Sequence, residues 1–70
     1  MADGISLQRQ IGEIETELKF RRDVFGRRVA ARKMKQSEAD YRIASMEAAL
    51  RTLQWLQRNE TKIREAVGDA

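Results

Sequence analysis

The sequence predicts an all-α protein that folds as an antiparallel two-helix hairpin. The chain contains no proline, apolar residues recur every three or four positions in both halves, and neither half alternates as a strand does. Because 70 residues allow one domain, we expect residues 1–70 to form a single hairpin domain. Residues 1–5 and 68–70 are expected to fray at its ends.

The first helix is predicted over residues 6–32. Its apolar stripe has spacings of four, three, four, seven and four, and consists of Leu7, Ile11, Ile14, Leu18, Phe25 and Val29. Gly26 lies within this helix and costs about 1 kcal/mol relative to alanine. We expect the helix to continue through Gly26. The alternatives are a kink or a helix end at this residue.

The second helix is predicted over residues 38–67. Ser37 supplies an N-cap hydroxyl, with Glu38 in the first turn and Asp40 at the third position after the serine. Gly68 then ends the helix. Its apolar stripe consists of Ala39, Ile43, Met46, Leu50, Leu53, Leu56, Ile63 and Val67. If the chain folds back at residues 33–37, the two stripes face each other in register, which predicts the hairpin.

Apolar residues outside these stripes exceed what a lone hairpin can bury. They are Tyr41, Ala48 and Trp55 on the second helix, and Phe20, Val24 and Ala31 on the first. We therefore expect a homodimer in which two hairpins form a four-helix bundle. Alternatively, Tyr41 and Trp55 cover the hairpin edge, or one of them anchors a different partner.

Arg21 and Arg22 occupy the positions, between Leu18 and Phe25, where the spacing of the first stripe predicts an apolar residue. In one interpretation their stems lie along the edge of the core and their charged groups reach solvent near Glu47. In the other, one of these arginines contacts a partner.

The composition lacks residue types that most often act in catalysis and zinc binding. The chain has no histidine and no cysteine, which excludes the usual triads, thiol nucleophiles and zinc ligand sets. No glycine-rich phosphate loop precedes a helix. We expect a protein that is not an enzyme and uses no cofactor. The sequence shows neither a signal-peptide pattern nor an apolar run of membrane-spanning length, so we expect a cytoplasmic protein.

Positive charge is concentrated in residues 19–35, which hold eight of the fourteen basic residues, one acid, and a net charge of +7. Such a segment is a solvated hairpin tip, a phosphate-binding surface for nucleic acid, or a surface complementary to an acidic protein. The candidate partner-binding residues are Arg21, Arg22, Arg27, Arg28, Arg32, Lys33, Lys35, Tyr41 and Trp55.

Residues 13–56 resemble a group of small proteins encoded early in Mu-like phages and prophages. In these proteins an E-x-x-L-x-x-R-x-x-V-(Tyr/Phe)-Pro segment precedes an E-A-D-x-x-I-x-x-M-E-A helix. The matching residues are Glu15, Leu18, Arg21, Val24 and Phe25, then Glu38, Ala39, Asp40, Ile43, Met46, Glu47 and Ala48. Gly26 stands where proline is usual in the group.

The group resembles the phage quorum-sensing anti-activator family. That resemblance implies a small helical dimer in the host cell cytoplasm that binds and inhibits a host protein. The implied targets are a quorum-sensing transcriptional regulator and a pilus-assembly ATPase. The alternative function is that of a Rop-like hairpin dimer that binds RNA or DNA through the same basic segment.

Overall fold

The computed structural model describes residues 4–68, which form three helices: α1 (Leu7–Ala30), α2 (Gln36–Arg58) and α3 (Glu60–Val67). The chain reverses direction between α1 and α2, and these two long helices pack against each other. α3 follows α2 after one residue. The prediction of an all-α chain with two long, mutually packed helices is confirmed. The molecule is elongated, with extents of 53 × 20 × 19 Å.

α1 begins one residue later and ends two residues earlier than predicted. Ser6 has an extended backbone and caps the helix, since its Oγ accepts a hydrogen bond of 3.1 Å from the amide of Arg9. The helix ends at Ala30 because Arg32 adopts a left-handed backbone with φ 60°. α1 continues without a break through Gly26, as the sequence predicts.

α2 begins at Gln36, two residues before the predicted start, so the prediction of Ser37 as the N-cap is wrong. Lys35 is the capping residue, with φ −77° and ψ 143°, and no side chain bonds to the first amides. Its carbonyl accepts from the amides of Glu38 and Ala39, each at 3.1 Å. The short left-handed turn leaves Lys35 already extended, so the helix starts there and Ser37 falls in its first turn.

The predicted helix 38–67 is interrupted at Asn59, where α2 ends and α3 follows. The Nδ2 of Asn59 donates to the carbonyl of Trp55 at 2.8 Å, and its amide is shared between the carbonyls of Trp55 and Leu56. Asparagine disturbs a helix in this way because its side chain competes for backbone groups. The apolar stripe continues across this helix break with a seven-residue step from Leu56 to Ile63, so the sequence pattern does not reveal the break.

The C-terminal stop is where the sequence predicts it. Gly68 follows α3 with φ 67°, a left-handed value that glycine adopts without strain. The predicted fraying of residues 1–5 and 68–70 concerns mainly residues 1–3 and 69–70, which lie outside the described residues.

The hairpin has a thin core. Within residues 4–68 the buried apolar side chains are Ile11, Leu18 and Phe25 on α1, spaced by seven, and Ala39 on α2. The other stripe residues of α2, from Ile43 to Leu56, are only half-buried. A seven-residue spacing places one side chain every two turns on the same seam. The hairpin therefore has one interhelical seam and no second layer of packing.

Leu18→Ala tests this seam. Leu18 is 3% exposed and lies at the centre of the buried series, so its truncation should lower the free energy of unfolding by about 3 kcal/mol. Urea denaturation followed by far-ultraviolet circular dichroism measures the change. The matched control is Val67→Ala, at a site that is 71% exposed, where the loss should stay below about 0.5 kcal/mol. Equal losses at the two sites would contradict the described core.

Candidate functional site

The hairpin tip, defined here as residues 27–35, is the most basic surface of the molecule. It comprises the last turn of α1 and the connection to α2. Five exposed basic side chains lie on it: Arg27, Arg28, Arg32, Lys33 and Lys35. Because the chain reverses within a few residues, cations that are neighbours in sequence are held at one end of a rod. The tip can bind anionic groups.

A Schellman turn fixes the shape of the tip. The amide of Lys33 donates to the carbonyl of Arg28 at 2.8 Å, and the amide of Arg32 donates to that of Val29 at 3.0 Å. This motif places its C′ residue in the left-handed region, where glycine is preferred, yet the residue here is Arg32 with φ 60°. An L residue in that conformation costs about 1 kcal/mol. The tip therefore carries a cation at the one position where its backbone favours glycine.

Most of the tip's charge is not neutralised within the hairpin. Arg27 forms an ion pair with Asp23 at 2.8 Å, one turn earlier on α1. Within residues 4–68, no carboxylate lies within 4.0 Å of the charged groups of Arg28, Arg32 or the tip lysines. Exposed cations of like sign held close together produce a positive field that attracts anionic partners.

Arg22 and Arg21 are both placed in ion pairs away from the tip. The guanidinium of Arg22 reaches Glu47 on α2 at 2.6 Å and thereby links the two helices. The Nε of Arg21 bonds to Glu17 on its own helix at 2.9 Å, and Arg21 is half-buried. The location of Arg22 agrees with the interpretation in which its stem follows the core edge and its charged group approaches Glu47.

Tyr41 and Trp55 are exposed but are not brought together. Tyr41 is 75% exposed and Trp55 is 52% exposed. Fourteen helical residues separate them, or about 21 Å along α2. Tyr41 lies one and a half turns into α2, beside the tip, whereas Trp55 lies just past the middle of the rod. Of the two aromatics, Tyr41 is the one that lies beside the tip.

Arg42 is a cation near the tip that the sequence interpretation omitted. Its guanidinium carbon lies 6.0 Å from the centre of the Phe25 ring, within the range of a cation–π contact. It lies outside residues 19–35, so a search for dense charge in sequence did not include it. Its position just before Ile43, a core-facing residue, was the available signal that it would lie along the edge of the seam.

The described residues contain neither a cluster that could hold a metal ion nor a helix that could span a membrane. Residues 4–68 contain no group of three or more acidic, histidine or cysteine side chains placed to hold a metal ion. Over the same range, every helix is too short or too polar to cross a bilayer. Comparison of the chain with protein-family models, with curated proteins and with solved structures finds no match. The exposed cations of the tip are thus the chemical feature on which a functional proposal can rest.

Arg32→Gly, compared with a matched control, separates the effect of backbone strain at this residue from the effect of its charge. Glycine relieves the left-handed strain, so the free energy of unfolding should rise by about 0.5 to 1 kcal/mol. The matched control is Lys33→Gly, which removes the same charge from the same turn at a residue without a positive φ. It should not stabilise the protein. Thermal denaturation of both variants gives the comparison, and a stabilisation equal in both would assign the effect to charge rather than to backbone strain.

The Arg22–Glu47 ion pair predicts a measurable coupling between the helices. A double-mutant cycle with Arg22→Ala and Glu47→Ala should give a coupling of about 0.5 kcal/mol, since both side chains are substantially exposed to solvent. The coupling should fall in high salt because ions screen exposed charges. A cycle on Arg22 and Glu38, which lies elsewhere on α2, provides the control. Coupling of equal size in both cycles would show that the direct contact contributes nothing specific.

Proposed function

We propose that the protein is a non-catalytic interaction module that binds an acidic surface of a host protein through its basic tip and inhibits that protein. One observation carries the proposal: Arg32 occupies the left-handed position of the tip, where glycine would be more stable. A residue that is unfavourable for the backbone but adds charge to an exposed cluster is suited to binding.

The tip cations are suited to a protein partner with a carboxylate-rich face. Guanidinium groups bind carboxylates with two parallel hydrogen bonds, and exposed lysines extend the positive field. Exposed charges of this kind accelerate encounter more than they stabilise the complex. Tyr41, beside the tip, supplies an aromatic side chain of the type that dominates binding energy at interfaces.

The target class follows from the resemblance of residues 13–56 to phage quorum-sensing anti-activators. On that basis the target is a quorum-sensing transcriptional regulator or a pilus-assembly ATPase in the host cytoplasm. Inhibition requires only that the module occupy a surface its target needs. In the proposed functional form two hairpins associate into a four-helix bundle, so that each assembly presents two tips.

Replacement of Arg27, Arg28, Arg32 and Lys33 by glutamine tests the role of the tip. The variant should remain helical, because these side chains are exposed. Its association with the purified host regulator should slow by roughly tenfold to a hundredfold, and the salt dependence of the rate should flatten. Stopped-flow or surface-plasmon measurements over a salt series provide the rates.

The matched control replaces four exposed basic residues at the opposite end of the rod, namely Arg9, Arg58, Lys62 and Arg64, by glutamine. Its net charge changes by the same amount, so it should bind almost as fast as the parent if the position of the charge matters. Equal rates for the parent and the tip variant at every salt concentration would refute the proposal. Loss of binding to duplex RNA or DNA by the tip variant, with no binding of the parent to the regulator, would instead indicate nucleic-acid binding.

A further inference from the structure

The two sides of the α1–α2 seam differ in chemistry. One side is charged: the Arg22–Glu47 ion pair bridges the two helices across a groove that Lys19 and Arg51 also line. The other side is a groove lined on α2 by Tyr41, Arg42, Ser45, Met46 and Ala49 and bordered on α1 by Arg21. We call this second side the open face. It is largely apolar and nothing in the hairpin covers it.

Helical spacing extends the open face beyond this groove to the middle of the rod. On α2 the same side continues through Thr52, Leu53 and Leu56, which follow Ala49 at steps of three and four. On α1 it includes Val24, which is half-buried. Phe20 lies about 160° around α1 from the buried Leu18 and so faces away from α2. The open face therefore spans both helices, whereas Trp55 and Ala48 lie on the side of α2 directed away from α1.

Two hydroxyls and one guanidinium of the open face already have partners, and the other polar side chains there, Tyr41 and Arg42, are exposed. The hydroxyl of Ser45 donates to the carbonyl of Tyr41 at 2.9 Å, and that of Thr52 donates to the carbonyl of Ala48 at 3.2 Å. Arg21 is bonded to a carboxylate of its own helix. Covering the face would leave these three donors paired, which avoids the cost of burying them without a partner. The small side chains of Ser45 and Ala49 also allow a helix to approach closely.

We infer that a second copy of this chain covers the open face, so that two hairpins pack through it about a two-fold axis. This inference rests on the proposed homodimer and specifies its surface. The chain has an accessible surface of 5837 Å², whereas a compact monomer of its mass exposes about 4,500 Å². The surplus of about 1,300 Å² is spread over the elongated rod, and a standard interface removes roughly 800 Å² of surface from each partner.

The charge distribution determines how the two copies are oriented. Residues 19–52, the half of the rod that contains the tip, hold ten basic and four acidic residues, a net charge of +6. The other half, residues 4–18 and 53–68, has a net charge of −1. Tips at the same end would place two strongly positive halves side by side. Tips at opposite ends place each positive half against a slightly negative one, which charge complementarity favours.

The resulting dimer has its two-fold axis perpendicular to the rods near the middle of α2. About thirteen helical residues separate each tip from that axis, so the two tips lie about 40 Å apart. An isologous contact of this kind closes on itself and forms no larger assembly. The paired assembly then offers two separate basic sites, each able to bind the same kind of acidic surface.

Ala49→Glu tests the surface, with Ala44→Glu as the matched control. Both alanines are exposed on α2, and they lie about 140° apart around the helix. Ala49 is on the open face, so a glutamate there should weaken dimerisation roughly a hundredfold, while Ala44→Glu should change it by less than about threefold. Sedimentation equilibrium gives the association constants, and circular dichroism verifies that both variants stay helical.

A distance measurement tests the orientation. The chain has no cysteine, so Lys33→Cys provides one attachment site for a spin label at each tip of a dimer. The opposite-end arrangement predicts a separation of about 40 Å, whereas tips at one end would lie within about 20 Å of each other. The wild-type chain should sediment as a dimer of twice 8.1 kDa.

Three results would overturn the inference: a helical wild-type monomer at micromolar concentrations, a greater loss of dimer from Ala44→Glu than from Ala49→Glu, or the short distance between labels. These outcomes are separable from failure of the proposed function. The four-glutamine tip variant leaves the open face intact, so loss of target binding by a variant that still dimerises concerns the tip alone. Equally, a monomer that binds the host regulator through its tip would refute the dimer and leave tip binding established.

Discussion

The protein depends on one interhelical seam, in which Ile11, Leu18 and Phe25 of α1 pack against α2. A seam with buried residues only every seventh position holds two helices together but cannot form a layered core. No side chain in residues 4–68 is completely enclosed. The radius of gyration, 16.2 Å, is well above the roughly 11 Å of a compact domain of this length. The elongated shape, the exposed aromatic residues and the open face all follow from this single seam.

The asymmetry of the seam gives the rod two chemically different sides. The charged side is held by Arg22 and Glu47, which join the helices at their surface. The open face contains apolar and small residues whose hydroxyls bond to their own helix. A helix pair of this design has one side that remains hydrated at little cost and another whose burial is favourable. Self-association through the open face would leave the five tip cations free to bind a target, while Tyr41 borders both surfaces.

The tip illustrates a conflict between local stability and charge. A Schellman turn accommodates glycine at its left-handed position, and Arg32 there is less favourable for the backbone. The surrounding turn nevertheless retains its two defining hydrogen bonds. Such local conflicts are common at functional sites, where a side chain is kept for what it binds. The opposite-end arrangement of two rods would also separate the tips and so relieve the repulsion between them.

The sequence by itself determined the helical class, the two long helices and the concentration of basic residues at their junction. Periodic apolar residues and the absence of proline act locally, so these features could be predicted without knowledge of the fold. The helix ends around the turn and the break at Asn59 could not, because they depend on which backbone group each residue bonds. Ser37 resembles a cap in sequence, yet Lys35 occupies that position. Only the tertiary structure decided that Arg22 pairs with Glu47 and that Arg42 lies near Phe25. These contacts join residues about 17 to 25 positions apart, and their identity depends on the rotation of each helix about its axis, which periodicity alone does not fix.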